Sequence, residues 1–367
     1  MPARHPAPTA LADPARRRFA AALAAASASF GGCAQVATGL GLAPLLQRLG
    51  LMDAPVPPLA PERAQALQAQ YLKGATALLA NDVDGAVAAW RAYAQQAPST
   101  LPQAREVRGH LTLLDREAAR RFVQRATAAE ARQAYVRTDR WHVAVMPFSS
   151  PPPAAGGSGP QQQGFNRAVV AMIAVDLARV PSLTVLEREK VELLAAELRL
   201  SASELVDPAT AARPGRLLGA GTLVAGSVYN APGPSGPGSG RYRLNSAVSD
   251  VARARLLGHS EAEGLQAEFF LLQKRIVHGI LDLLEVRDRP AAVDTVHTRN
   301  WEAYARFARG LQLLAESRFA EARQAFLGAL QLDPAFALAE GAFLDTPERP
   351  ATLQEIRATA AQRAGRG

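Results

Sequence analysis

The stretch "SLTVLEREKVELLAAELRLS", residues 182–201, decides the fold. Leu183-Thr184-Val185-Leu186 reads as a short strand, because residues of this type fit a pleated, half-buried surface. The chain then turns at Glu187-Arg188, and Val191, Leu194 and Leu198 recur at the spacing of one helix face. A strand that feeds a helix in this way is a unit of an α/β sheet. No Gly-rich phosphate loop follows the strand, so the unit is expected to build a surface and not a catalytic strand end.

The neighbouring segments extend this unit into a domain. "WHVAVMPFSS" (141–150) alternates as a strand and breaks at the Pro- and Gly-rich stretch "PPPAAGGSGP". Phe165, Val169, Ile173, Leu177 and Val180 then share one helix face. Pro208 starts a further helix that ends at Gly219, where "GAG" permits a tight helix-to-strand turn. "TLVAGSVYN", "RYRLNSAVSDVA" and "RARLLGHSEAEG" read as three strands, with "APGPSGPGSG" between the first two. A final helix is expected to carry Leu265, Phe269, Leu272, Ile276, Ile280 and Leu283 as one buried stripe. The order β-α-β-α-α-β-β-β-α predicts a mixed sheet with helices on its faces.

The N-terminus has the grammar of an export signal. Arg16-Arg17-Arg18 precede a short Ala-rich apolar core, and Phe30-Gly31-Gly32 precede Cys33. Cys33 is the one cysteine of the chain, so neither an internal disulfide nor a cysteine-based zinc site is available. Phe30-Gly31-Gly32-Cys33 resembles a bacterial lipobox, which implies lipidation at Cys33, although the third upstream position is Phe where Leu is usual. The Arg run also resembles a twin-arginine signal. Ala34, in place of an Asp after the cysteine, favours the outer membrane by the same resemblance. Residues 1–32 carry +3 of the net +8, and the remaining Arg are dispersed among Glu on helices. That pattern reads as solvated helix faces, so no nucleic-acid partner is expected.

Two helical pairs flank the sheet segment. "YLKGATALLANDVDGAVAAWRAYAQQAPST" (71–100) aligns without gaps to "YARFARGLQLLAESRFAEARQAFLGALQLDPAFA" (304–337). Gly74, Ala86, Trp90 and Pro98 match Gly310, Ala322, Phe326 and Pro334, with spacings of 12, 4 and 8 in both. Small residues let two helices approach, the aromatic fills the gap, and Pro ends the second helix. Both segments resemble the tetratricopeptide repeat. One such unit buries its face only by stacking, and about three are needed for stability, so each must pack on other helices or on the sheet domain.

The residues that carry a wider resemblance run in order: "VAVMPF", "LTVLERE", "LAAELRLSASELVDPATAA", "RLLGAGTLVAGSV" and "EGLQAEFFLLQKRIVHGILDLL". Together they resemble the CsgG family of outer-membrane curli-secretion lipoproteins and its non-pore relatives, the LpoB activators and the FlgO proteins. The resemblance implies the α/β fold, a lipid anchor and an envelope role. It covers about 141–287. The expected organisation is a signal peptide over 1–32, a Pro/Gly-rich tether over 33–60, and a tetratricopeptide-like helical domain over 61–140. A CsgG-like α/β domain follows over 141–290, then a tetratricopeptide-like repeat over 291–340 and a tail over 341–367. The family's pore hairpins need paired stretches of ~9–11 alternating residues. The two insertion points here hold Pro- and Gly-rich segments, which argues against a pore.

No catalytic residue, metal site or cofactor is expected. The histidines show no H-x-x-x-H or H-E-x-x-H spacing, and Gly226-Ser227 lacks the second Gly of a nucleophile elbow. The sequence therefore predicts a lipid-anchored scaffold on the periplasmic face of the outer membrane that binds envelope proteins. The alternative is an oligomeric accessory component of curli-like secretion without its own barrel.

Overall fold

The computed structural model describes residues 43–52, 58–130, 138–150, 160–200, 208–231 and 240–365. The short helix α1 (Ala43–Arg48) belongs to a unit separate from the elements that follow. The second unit holds the elements that follow. Helices α2 (Pro61–Leu79), α3 (Val83–Gln96) and α4 (Pro102–Glu130) lead into strand β1 (Asp139–Val145). Helix α5 (Pro160–Ala178), strand β2 (Thr184–Val185), and helices α6 (Arg188–Glu197) and α7 (Pro208–Leu218) follow. Strands β3 (Ala220–Ala231), β4 (Arg241–Asp250) and β5 (Arg255–Leu265) then precede helix α8 (Phe269–Leu283). The chain ends with α9 (Trp301–Ala315), α10 (Phe319–Leu332), α11 (Ala337–Asp345) and α12 (Leu353–Ala364).

The five strands form one mixed sheet in the order β2-β1-β3-β4-β5. β1 lies parallel to β2 and β3, and each of those neighbours is reached through a helical crossover, as parallel pairing requires. The β3–β4 and β4–β5 pairs are antiparallel hairpins, with Val224 opposite Val248 and Ser246 opposite Ser260. Gly219, at φ 71°, supplies the left-handed turn between α7 and β3.

Alternation along β1 divides its side chains between two layers. Ala144 and Met146 join Leu223 and Ala225 of β3 in a core with Val191, Leu194 and Ala195 of α6 and Ala211, Leu217 and Leu218 of α7. Val123 of α4 enters the same core. Helices α5 and α8 pack on each other, and α8 also packs on β4 and β5. Val169, Ile173, Leu177 and Val180 of α5 are buried, as their spacing predicts. The stripe on α8 departs from expectation at both ends. Leu265 closes β5 and is 47% exposed, and Leu284 takes the buried place at the other end. Leu265 lies outside the helix: the tight turn Gln266–Glu268, in which the Glu268 carboxylate accepts the Leu265 N–H at 3.2 Å, separates β5 from α8.

The helices at the two ends of the chain close on each other. Helix α12 packs on α2, with Arg363 paired to Glu106 of α4 and Arg357 bonded to Asn81. Helix α4 spans toward the C-terminal helices: Thr112 Oγ1 donates to the Asp345 carbonyl at 2.5 Å and Arg108 pairs with the Asp345 carboxylate at 2.8 Å. Helix α9 is tied to the sheet layer by an aromatic cluster in which Phe165, Tyr242, Phe269, Trp301 and Tyr304 lie with ring centroids 5.2–5.8 Å apart.

Asp176 of α5 is fully buried. Its carboxylate accepts from Lys274 Nζ at 2.6 Å and Gln273 Nε2 at 2.9 Å, both on α8, and from Arg179 at 3.0 Å. His297 Nε2 lies 3.1 Å from the same group. Burial alone would raise the Asp176 carboxyl, but His297, Lys274 and Gln273 hold it below the usual carboxylate range. Removing one partner of such a group leaves the other charge buried and uncompensated. Asp176→Ala is therefore expected to lower unfolding free energy by about 3–5 kcal/mol in urea titrations.

Candidate functional site

The residues that define the two helical pairs fall where close helix approach demands them. A Cβ on Gly74 would sit 2.1 Å from Trp90 Cδ1, and one on Gly310 would sit 2.4 Å from Phe326 Cε1. Each glycine is thus covered by the aromatic of the facing helix. Trp90 is 1% exposed, donates Nε1–H to the Tyr71 carbonyl at 3.0 Å and stacks on the Tyr71 ring. Ala86 and Ala322 are fully buried. Pro98 and Pro334 each stand two residues beyond the last residue of their helix, α3 and α10. Cys33 lies outside the described residues. Gly310→Leu must displace Phe326 and is expected to cost about 1–3 kcal/mol. Gly341→Ala on α11, where nothing lies within 4 Å of the added carbon, is expected to be neutral or to stabilise by up to about 1 kcal/mol. Paired urea titrations check both.

The Glu187-Arg188 corner sits at the end of β2 and ties the sheet to the helical layer. Arg91 of α3 donates to Glu187 at 2.7 Å and to Asp115 of α4 at 2.9 Å. Lys190 pairs with Glu187 at 2.9 Å. Arg188 turns along its own helix to Glu189 at 3.0 Å and Glu192 at 3.3 Å. Burial pushes Glu187 upward, but Lys190 and Arg91 hold it below its ordinary value. Asp115 shares its one guanidinium with Glu187. Burial, helped by the nearby Glu189 and Glu187 charges, pushes its carboxyl up to about 6 against the pull of Arg91.

That shift sets a sign. A carboxyl that holds its proton more tightly in the native state stabilises the fold at low pH and loses that contribution as pH rises through about 6. Asp115→Asn removes this loss, while Arg91 keeps Glu187. The variant's stability relative to wild type is therefore expected to rise by about 1 kcal/mol between pH 5 and pH 7.5, followed by thermal unfolding at the two pH values.

The corner helix also walls a crevice at the carboxyl end of β1. Helix α5 leaves β1 toward one side of the sheet and α6 packs on the other, so the crevice lies where open α/β sheets bind ligands. It encloses about 520 Å³. Pro147, Phe148, Val170, Ala195 and Leu200 supply its apolar lining. Asn166 is committed to the strand end: its amide donates to the Phe148 carbonyl at 3.1 Å and to Ser150 Oγ at 3.0 Å. Arg167 and Arg188 both hold Glu192. Gln163 and Arg199 complete the wall. Among the described lining residues the carboxylate is Glu192, and two guanidinium groups hold it. Among the described residues no group of three His, Cys, Asp or Glu is placed to hold a metal, and no helix is long and apolar enough to cross a membrane.

Residues 124–242 match the family model described as curli production assembly/transport component CsgG. The matched span runs from the end of α4 through β1, the crevice and β3 to Tyr242 in β4. This segment is CsgG-like, and it covers the parallel half of the sheet. Strand β5 and helix α8, which the sequence resemblance also included, lie beyond the match. No curated protein matches the chain.

Sequence reasoning passed over Asp176, although a lone acid beside Ile173 and Leu177 on an apolar helix face is a readable signal. It also passed over Arg91 and Asp115, for which no local signal exists.

Proposed function

We propose that this protein is a lipid-anchored, non-enzymatic scaffold on the periplasmic face of the outer membrane. It docks another envelope protein, of cell-wall, secretion or surface-assembly machinery, through its CsgG-like segment and its helical pairs. The observation that carries this reading is the CsgG match over residues 124–242, set in a sheet that is bracketed by helices from both ends of the chain. The basic, Ala-rich leader before Cys33 supports export and anchoring. The glycine-on-aromatic contacts at Gly74 and Gly310 support reading the two helical pairs as tetratricopeptide-like.

A barrel of its own does not fit the chain lengths. Nine residues, 232–240, separate β3 from β4, and fourteen, 146–159, separate β1 from α5. A spanning hairpin needs two strands of ~9–11 residues and a turn. If the family's assembly role applies here, it does so through an oligomer that supports secretion without lining the membrane.

The test is membrane fractionation with intact mass of the mature N-terminus, for wild type and Cys33→Ala. The expected result is a lipid-shifted wild type in the outer-membrane fraction and a released variant. Both forms remaining in the cytoplasm with residues 1–32 intact would remove the anchor and the envelope role together.

A further inference from the structure

The crevice at the carboxyl end of β1 has an unusual wall. Helix α6 ends in a motif in which the Leu200 N–H donates to the Ala195 carbonyl and the Arg199 N–H to the Ala196 carbonyl, each at 3.1 Å. The residue after the cap in this motif takes a left-handed conformation, and glycine is usual there because a Cβ is strained. Here the residue is Arg199, at φ 52°. Among the described residues four other non-glycine residues are left-handed, namely Asn81, Ala254, Glu285 and Ser317, and Arg199 is the cation of the set. A long charged side chain thus occupies a strained position where its loss would relieve the backbone. Strain held at a cavity wall points to a use for the side chain.

The surroundings say what that use is. Glu192 is already taken by Arg167 and Arg188, so it does not neutralise Arg199. Gln163 and Arg199, both solvent-exposed at the rim, are the lining polar side chains that bond to no other described residue. Behind them lie Phe148, Val170, Ala195 and Leu200. The crevice therefore combines an exposed guanidinium and an exposed amide at its rim with a buried apolar floor. About 520 Å³ is room for the last two or three residues of a chain or for a medium-length acid.

We propose that this crevice binds a carboxylate carried on a small apolar group, with Arg199 and Gln163 as its polar contacts and Phe148, Val170 and Leu200 against the apolar part. Two sources share that chemistry: the C-terminal end of a peptide with an apolar last residue, and a short fatty acid. Arginine suits the role because its planar fork matches a carboxylate and stays charged at any physiological pH. The inference concerns the crevice alone and does not depend on the lipid anchor or the envelope location.

The experiment is isothermal titration of the purified full-length chain with three probes. They are acetyl-Ala-Ala-Ala-Leu with a free carboxylate, the same peptide amidated, and octanoate. The expected result is saturable binding below about 1 mM for at least one carboxylate probe, with the amidated peptide at least tenfold weaker. Peptide binding identifies a chain end as the source, and octanoate binding alone identifies a free acid. Arg199→Gly is the decisive variant. It removes the guanidinium and relieves the left-handed position, so it is expected to raise the melting temperature while weakening binding at least tenfold. Arg199→Lys is expected to retain part of the affinity. No saturable binding of either carboxylate by wild type overturns the proposal, as does undiminished binding by a folded Arg199→Gly.

Discussion

The carboxylate of Asp176 is the constraint around which the sheet domain and the C-terminal helices are arranged. It has no exposed surface, and its charge is tolerable only because Lys274, Gln273, Arg179 and His297 converge on it. These partners come from α5, from α8 and from the connection that leads into α9. The group therefore fixes where α8 lies on the sheet and where the chain sets off toward the C-terminal helices. The aromatic cluster at Phe165, Phe269, Trp301 and Tyr304 ties the same helices together elsewhere, and the Tyr304 hydroxyl donates to the Phe165 carbonyl at 3.1 Å. A buried ion group of this kind adds little net stability over an apolar replacement. Its value lies in the single arrangement it permits.

The far side of the sheet is held by a different device. The Glu187-Arg188 corner reaches Arg91 on α3, and through it Asp115 on α4, so a strand end is bonded to helices about one hundred residues earlier. Val123 makes the same connection by apolar contact. Helix α12 then returns from the end of the chain to α2. The helical pairs and the sheet are thus one packed body within the second unit, which explains how two separated helical pairs manage without a stack of repeats. Each buries its remaining face on α4, α12 or the sheet helices instead.

This arrangement bears on the proposed role. A docking protein needs rigid surfaces more than it needs reactive groups. The CsgG-like segment presents the parallel half of its sheet with a crevice at the strand ends. The polar groups around that crevice divide into those that hold the wall together, Asn166, Arg167 and Glu192, and those left open, Gln163 and Arg199. This division lets the wall stay fixed while a ligand of the proposed kind engages the open pair.

The sequence by itself determined the elements and their order. Period-2 and period-3.6 patterns are local properties, so a strand beginning near 141, which ends at Val145 and not at Ser150, the strand at 222–230, the α5 stripe and the β-α-β-α-α-β-β-β-α succession were legible from side-chain spacing. The glycine and aromatic positions 74/90 and 310/326 were legible for the same reason, since both members lie within one helical pair. Leu265 was misplaced because the strand runs up to it and a three-residue turn precedes the helix, and nothing in the apolar spacing announces that boundary. Which charge meets which was decided only by the tertiary structure. Arg91 finds Glu187 across 96 positions and Lys274 finds Asp176 across 98. In the sequence these residues look like any other charges on helix faces. An ion pair is selected by distance and by the loss of water around it, and both exist only once the layers have packed.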